Sequence, residues 1–386
     1  METKPKVLLL GGCGYIGRNL VKYLLQNELV SFIRVADKIL PVMAYLHPEM
    51  EAIFESPLIQ FVQCDLTGER HVNRAFDTLH EDQKCEFDVV INAAGETRVC
   101  QDPSTYRSRC RDLPVLCAQI AARNKVPRFI EISTAYVYKS HTRTAPTESE
   151  KPIPHGKVAM AKREAEIALL NMTDIEVIIV RPALVYGGSG DINGGVLLGR
   201  AVCAACYTDG SGKIDCTEER LPNEMTVMWD EHMKINTVHV FDLCRALWLL
   251  YWEAGAKSIW NICDKSDTDQ GKFGTILESI FGIKVAYLGS FRSNIARLMA
   301  RDLMDMANER HLQPWDDTCK RYGVTNTPLS PLVSEELLDH YNCFLNGCQI
   351  EDSLRFVYEY PVISADLVLQ SIRQGIEGGI FPNIIV

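Results

Sequence analysis

Over the first 190 residues short apolar runs alternate with longer stretches that are apolar on one helical face. Residues 7–10, 33–36, 59–62, 89–92, 129–132 and 177–180 read as buried strands. Between them, segments such as 17–26 and 114–123 carry apolar residues at helical spacing. Strand, helix, strand, helix predicts an α/β protein with a doubly wound parallel sheet covered on both faces. After Gly187 glycine clusters at 187–190, 194–195 and 210–212 interrupt the pattern, and 237–240 and 259–262 suggest a return to the sheet. From about residue 263 the chain reads as helices and loops, which predicts a smaller, mostly helical C-terminal lobe. The division expected is 1–187 plus 235–262 for the sheet domain, and 188–234 plus 263–386 for a substrate or partner lobe. A stripe within 294–308, formed by Ile295, Leu298, Met299, Leu303 and Met306, predicts core packing or a subunit contact.

With 47% apolar and 23% charged residues in 386, the chain has the make-up of a folded protein with a sizeable core. Its formal charge of −10, with no block of like charges, argues against nucleic acid. Neither a signal-peptide core nor a charge-free run of membrane-spanning length occurs, so the expectation is a cytoplasmic protein without a membrane span. The 14 cysteines are scattered and read as reduced, mostly buried thiols. Cys203 and Cys206 have a CxxC spacing without a second pair, and no metal is expected there.

The sharpest local signal lies directly between the first strand and the first helix. There Gly11, Gly14 and Gly17 space out the run Leu10-Gly11-Gly12-Cys13-Gly14-Tyr15-Ile16-Gly17. Such glycines permit a tight turn and close approach of backbone to a pyrophosphate, which the helix N-terminus then attracts. Asp37 follows Gly17 by 20 residues, at the end of the second strand, where a carboxylate accepts from both ribose hydroxyls and repels a 2′-phosphate. NAD(H) is therefore expected over NADP(H), although Lys38 beside it works the other way. Cys13, at a helix N-terminus, is expected either to have a lowered thiol pKa or to be a small residue tolerated in the turn.

Further runs follow in order: Arg34-Val35-Ala36-Asp37, Cys64-Asp65-Leu66, Asn92-Ala93-Ala94-Gly95, Ile132 to Tyr138, Arg181 to Gly187 and His239 to Asp242. Together with the glycine turn they resemble the extended short-chain dehydrogenase/reductases, the NAD-dependent epimerase/dehydratase-like group with a Rossmann-type fold. The resemblance covers the chain to about residue 265. It implies cofactor contacts at Gly11, Gly14, Tyr15, Ile16, Gly17, Asp37, Asp65, Leu66, Ala93, Ala94, Gly95, Lys162, Arg181 and Pro182. Asp65 would meet the adenine amino group, Ala93 to Gly95 would pass beneath the nicotinamide, and Arg181-Pro182 would lie beside it. His239 and Asp242 would form a mainly structural turn. Asp65 equally reads as a helix N-cap.

The same resemblance implies a hydroxyl at Thr134 and a Tyr followed four residues later by Lys162. Position 158 is Val, and no tyrosine lies between Lys139 and Val185. Thr134 and Lys162 remain as catalytic candidates; Thr134 also reads as a strand-end hydroxyl and Lys162 as an exposed helix lysine. Substitutes for the missing acid/base are His155, Tyr136, Tyr138 and above all Glu96, with Arg98 as a clamp for an anionic substrate. A solvated helix start is the alternative for Glu96. Loss of the tyrosine favours a pseudoenzyme, a nucleotide-binding scaffold or assembly subunit with a protein partner or a second copy. An active oxidoreductase, epimerase or dehydratase on a sugar-nucleotide or steroid-like alcohol stays open.

Overall fold

The computed structural model describes residues 4–77, 87–98, 100–139, 143–188, 196–207, 224–333, 339 and 342–385, and no side chain is described for 196–198 and 300. Of the glycine clusters, 194–195, 210–212 and the second half of 187–190 lie outside the described residues.

The chain runs β1 (Lys6–Leu10), α1 (Tyr15–Gln26), β2 (Phe32–Asp37), α2 (Pro48–Phe54), β3 (Ile59–Gln63), α3 (Glu69–Phe76), β4 (Val89–Asn92), α4 (Pro103–Tyr106), α5 (Leu113–Arg123), β5 (Arg128–Ile132), α6 (Gly156–Leu170) and β6 (Glu176–Pro182). Then follow β7 (Leu184–Tyr186), α7 (Val196–Ala205), β8 (Glu224–Val227), β9 (Thr237–His239), α8 (Val240–Glu253), β10 (Ser258–Ile262), α9 (Gln270–Phe281) and β11 (Lys284–Tyr287). The chain ends on α10 (Ser290–Arg297), α11 (Ala300–Arg321), α12 (Cys348–Leu354) and α13 (Ala365–Glu377).

Seven strands form one parallel sheet in the order β10-β6-β5-β4-β1-β2-β3. Strand order reverses between β1 and β4, which pair from Val7 opposite Val89 to Leu10 opposite Asn92. At that reversal the loops after β1 and β4 diverge to opposite faces and leave a crevice at the carboxyl ends of the strands. Val7, Leu8, Leu9 and Leu10 have no exposed surface, so both faces of β1 are covered, as its unbroken apolar run requires. One core cluster packs α1 and α8 on one face of the sheet, and a second packs α3 and α5 on the other.

A third cluster joins α7, α9, α11, α13 and the 380s in the C-terminal lobe. Cys343, Leu345, Ile350, Phe356 and Tyr358 pack instead into the cluster around α8 and β10. Two expectations need correction. Residues 237–240 do not rejoin the main sheet: β9 pairs with β7 in a separate two-stranded sheet, while β10 takes the sheet edge beside β6. The 294–308 stripe is not one helix, because the chain breaks between α10 and α11. Ile295, Leu298, Met299 and Met306 are all at least half exposed, so the stripe does not pack into the core. Among the described residues no helix is long and apolar enough to cross a membrane.

Candidate functional site

The turn after β1 can be made only with glycine. Gly11 has φ +75°, and a Cβ there would lie 2.6 Å from the Ala94 nitrogen. A Cβ on Gly17 would come within 2.4 Å of the Gly11 carbonyl oxygen, and one on Gly14 within 3.1 Å of the same atom. The turn is thereby pressed between the Ala93-Ala94 backbone and the start of α1. Ala93 and Gly11 tie it to the sheet by donating to Leu10 O and Ala36 O. Gly14 caps α1 in extended conformation with no side-chain hydrogen bond, so no side chain of the cap occupies the space before the helix. Beneath the turn lies a residue the sequence reading did not single out. Arg18 is fully buried, and its Nη2 donates to Cys13 O at 2.5 Å and Ala44 O at 2.7 Å.

Asp37 ends β2 with its carboxylate nearly buried. Oδ2 accepts from the Cys13 N–H and Oδ1 from the Ile39 N–H, both at 3.0 Å. Burial raises its pKa against those two bonds. Each oxygen keeps lone-pair capacity, so the residue can brace the turn and still accept from a ribose. Cys13 is not an activated thiol: burial, reinforced by Asp37 and opposed by Arg18, pushes it up to about 12. Asp65 is exposed and accepts from the N–H and hydroxyl of Thr67, whereas α3 is capped by Gly68. Leu66 is buried in the core, and Tyr15 turns its hydroxyl away to Gly187 O at 2.5 Å. The side chains of Leu66 and Tyr15 are thus engaged elsewhere; their backbones flank the turns.

Past β4, fully buried Asn92 accepts from the Ala94 N–H and donates to Glu131 Oε2 at 2.6 Å. Lys162, on α6, donates to Ile132 O at 2.6 Å and lies 3.8 Å from Glu131 Oε1. A Cβ on Gly95 would be 3.9 Å from the same Nζ. The structure therefore brings Gly95, Lys162 and the end of β5 together, and Thr134 starts the next turn, accepting from the Tyr136 N–H. Glu131 was not expected. Burial pushes its carboxyl up to about 7, against the pull of Lys162 and Asn92. The available signal was a carboxylate in the otherwise apolar run 129–132.

The proposed substitutes fare unevenly. Glu96 is buried; it accepts from the backbone and guanidinium of Arg98 and, at 2.6 Å, from Arg109 Nη1. Burial alone would raise its pKa, but these bonds hold it at about 2, so it is a poor base and no solvated helix start. Arg98, pinned by that carboxylate, is no free clamp. Arg109 comes from a π-helical turn, Arg107–Asp112, that joins α4 to α5. Val158 packs against Tyr106, Cys110 and Ala161. His155 is exposed and lies 3.9 Å from Asp339. Tyr138 is buried, donates to Asn261 and accepts from Arg181, so its phenol is fixed in the interior.

Arg181 was expected at the nicotinamide end, but its guanidinium is engaged inside the protein. It grips Glu166 through Nε at 2.9 Å and Nη2 at 2.6 Å, with neither side chain exposed. Ser133 and Arg163 also donate to Glu166. Pro182 is buried beside it. His239 caps α8, stacks on Tyr360 with centroids 3.9 Å apart, and Asp242 accepts from the Glu359 and Tyr360 N–H groups. Cys203 and Cys206 have thiols raised by burial, and no metal-ligating cluster occurs among the described residues.

The model of the NAD dependent epimerase/dehydratase family matches residues 7–263. The chain is 25% identical over 260 residues to the Arabidopsis thaliana protein named "Probable UDP-arabinose 4-epimerase 3", a match spanning 60% of this chain and 61% of that one. It is 23% identical over 266 residues to dTDP-glucose 4,6-dehydratase of Streptomyces niveus, covering 67% of this chain and 72% of the other. Its fold is similar to that of DesIV, a dTDP-glucose 4,6-dehydratase from Streptomyces venezuelae with NAD and TYD bound, at TM-score 0.68 and 18% identity over 96% and 97% of the two chains. The dTDP-glucose 4,6-dehydratase of Bacillus anthracis in complex with NAD gives TM-score 0.66 and 15% identity, with 97% of each chain covered. Sequence match, strand order and glycine turn agree over more than half of the molecule: the chain belongs to the NAD-dependent epimerase/dehydratase family.

Proposed function

We propose that this chain binds NAD(H) and serves as a nucleotide-binding scaffold or assembly subunit rather than by the family's usual chemistry. The observation that carries the reading is the setting of Val158. It stands one helical turn before Lys162, where the tyrosine of the resemblance is expected, and is packed into an apolar cluster with Tyr106, Cys110 and Ala161. Valine has no proton to exchange, and the neighbouring Tyr106 hydroxyl donates to Arg98 O. Three parts of the expected cofactor cradle support nucleotide binding by contrast. Gly11, Gly14 and Gly17 clear the space, Asp37 offers acceptors to a ribose, and Lys162 is a donor beside Gly95. When bound, NAD would supply a hydride acceptor.

Residues 1–187 with 235–262 would hold the nucleotide, and 188–234 with 263–386 would face a substrate or partner. A cytoplasmic location and a protein partner or second copy belong to the same reading. A second reading, an active enzyme on a sugar-nucleotide or steroid-like alcohol, is favoured by one observation. The buried Glu131 carboxyl, pushed up to about 7 by burial, lies 3.8 Å from Lys162 beside Gly95 and is able to exchange a proton near neutral pH. A fluorescence titration with NADH and NADPH tests the first part: micromolar NADH binding, tighter than NADPH, is expected, and none at millimolar cofactor overturns it. Assays with UDP- and dTDP-sugars then separate the two readings, because turnover would overturn the scaffold and its absence would favour it.

A further inference from the structure

The arginine presented by the π-helical turn has more hydrogen-bonding capacity than its protein partners use. Arg109 Nη1 donates to Glu96 Oε2 at 2.6 Å, and among the described residues this is the one hydrogen bond its guanidinium makes. A guanidinium carries five N–H donors, so most are left over. The side chain is 31% exposed, which leaves those donors room to meet a ligand. Nor is its charge spent on Glu96. Arg98 already takes both oxygens of that buried carboxylate, Oε1 through Nε and Oε2 through Nη2, each at 2.9 Å. Two guanidiniums thus share one carboxylate, and the cluster keeps a net positive charge. Two other cations near the cradle are committed elsewhere: Lys162 to Ile132 O and Glu131, and Arg18, beneath the turn, to Cys13 O and Ala44 O.

The place of Arg109 gives that charge a target. Glu96 follows Gly95 in the loop after β4, whose Ala94 presses on the glycine turn, and Asp65 lies in the loop after β3. The strand order β4-β1-β2-β3 puts three strand spacings, roughly 14 Å, between those loops. Arg109 acts on both. It is bonded to Glu96, and Asp65 is held below the usual carboxylate range first by the Thr67 N–H, against burial, then by the Thr67 hydroxyl, Arg109 and Lys38. The guanidinium therefore stands at the sheet edge that carries the glycine turn, between the loops after β4 and β3. Single π-helical turns are frequent at functional sites.

We infer that Arg109 is a cofactor-binding residue that meets the pyrophosphate of the dinucleotide, with Glu96 and Arg98 as the clasp that positions it. The inference rests on the reading that the chain binds NAD(H). The pyrophosphate lies midway between the adenine, expected at Asp65, and the nicotinamide, expected at Ala93 to Gly95, and Arg109 spans the same interval. The fork of a guanidinium suits paired phosphate oxygens, and its full charge adds to the partial charge at the N-terminus of α1. In a chain of net charge −10, a cation held at this place offsets the general repulsion of an anionic ligand. The Glu96 carboxyl, held at about 2, stays ionised at any working pH, so the clasp does not open by titration.

Three ligands separate this contact from the rest of the cradle: NADH and ADP-ribose carry the pyrophosphate, and adenosine does not. Calorimetric titration of the full chain with the first two, and ligand-observed NMR with adenosine, should show a selective loss in Arg109→Met. NADH and ADP-ribose should each weaken by about tenfold, by the same factor, with adenosine unchanged. Salt gives a check that does not depend on the variant folding. Between about 50 and 500 mM salt the unmodified protein should lose ADP-ribose affinity by about threefold or more and keep its adenosine affinity. NADH binding undiminished in Arg109→Met, adenosine weakened by the same factor, or salt-insensitive ADP-ribose binding would each overturn the role of Arg109 and leave NAD(H) binding standing. No binding of NADH or ADP-ribose to the unmodified protein would overturn the NAD(H) reading, and this inference with it.

Discussion

The ammonium of Lys162 stands 3.8 Å from the carboxylate of Glu131, a residue of the fifth sheet strand that is 1% exposed. A carboxylate buried on an interior strand of the sheet is tolerated only with such partners, and Asn92 supplies the other bond. Their help does not cancel the cost of burial, which leaves Glu131 at about 7.

That shift has a sign that unfolding can read. The folded state binds the Glu131 proton more tightly than the unfolded chain, whose value is near 4.5. The associated stability is fully present below about pH 4.5 and is lost as pH rises through about 7, an amount on the order of 3 kcal/mol. Glu131→Gln removes this dependence. Urea unfolding should show the variant gaining on the unmodified protein between pH 5 and pH 8. A difference that is the same at both pH values would show that Glu131 does not titrate there.

Removing one member of the Arg181–Glu166 pair should be severe. Arg181→Met leaves Glu166 buried with only Ser133 and Arg163 as donors, and is expected to cost roughly 3–5 kcal/mol. The double variant Arg181→Met, Glu166→Gln should recover much of that loss, because the stranded charge is gone. Equal losses in the single and double variants, measured in urea, would contradict the stranded-charge argument.

Asp37→Ala should weaken NADH by about tenfold or more, and NADPH less. The carboxylate that a 2′-phosphate would meet is gone, while the brace on the Cys13 N–H is lost for both cofactors. Parallel titrations check this, and equal weakening would reduce Asp37 to its bracing role.

Gly17→Ala tests the fit of the turn itself. A methyl group 2.4 Å from Gly11 O must push α1 off the sheet, so NADH binding should fall by about a hundredfold or more with the far-UV spectrum retained. Retained affinity in a nucleotide titration would mean the turn is looser than its geometry indicates.

Much of this was legible in the sequence. The six strands between residues 6 and 182 were foreseen because a short, mostly apolar run is a local property, even where it carries a single polar residue such as Arg34 or Glu131. The glycine turn and Asp37 were legible because they are carried by spacing along one strand–helix–strand unit, from β1 to the end of β2. For the stripe at 294–308 the expectation of core packing failed because periodicity reports which residues share a face and not whether anything covers that face.

The catalytic substitutes could not be judged in this way. Glu96 looked like a base until Arg109, 13 residues on, was seen to be aimed at it by the π-helical turn. Arg181 looked like a cofactor contact until Glu166, reaching it from α6, took its guanidinium. Glu131 drew no notice at all.

The sequence by itself determined the parallel sheet, the glycine turn with Asp37 at the end of the next strand, and the valine four residues before Lys162. Each of these is written in residue type and short spacing. The tertiary structure alone decided which ionisable groups are paired, which are buried, and which polar atoms are left without a partner. Those properties depend on the dielectric and on neighbours brought from 13 to more than 100 positions away, and no local pattern encodes them.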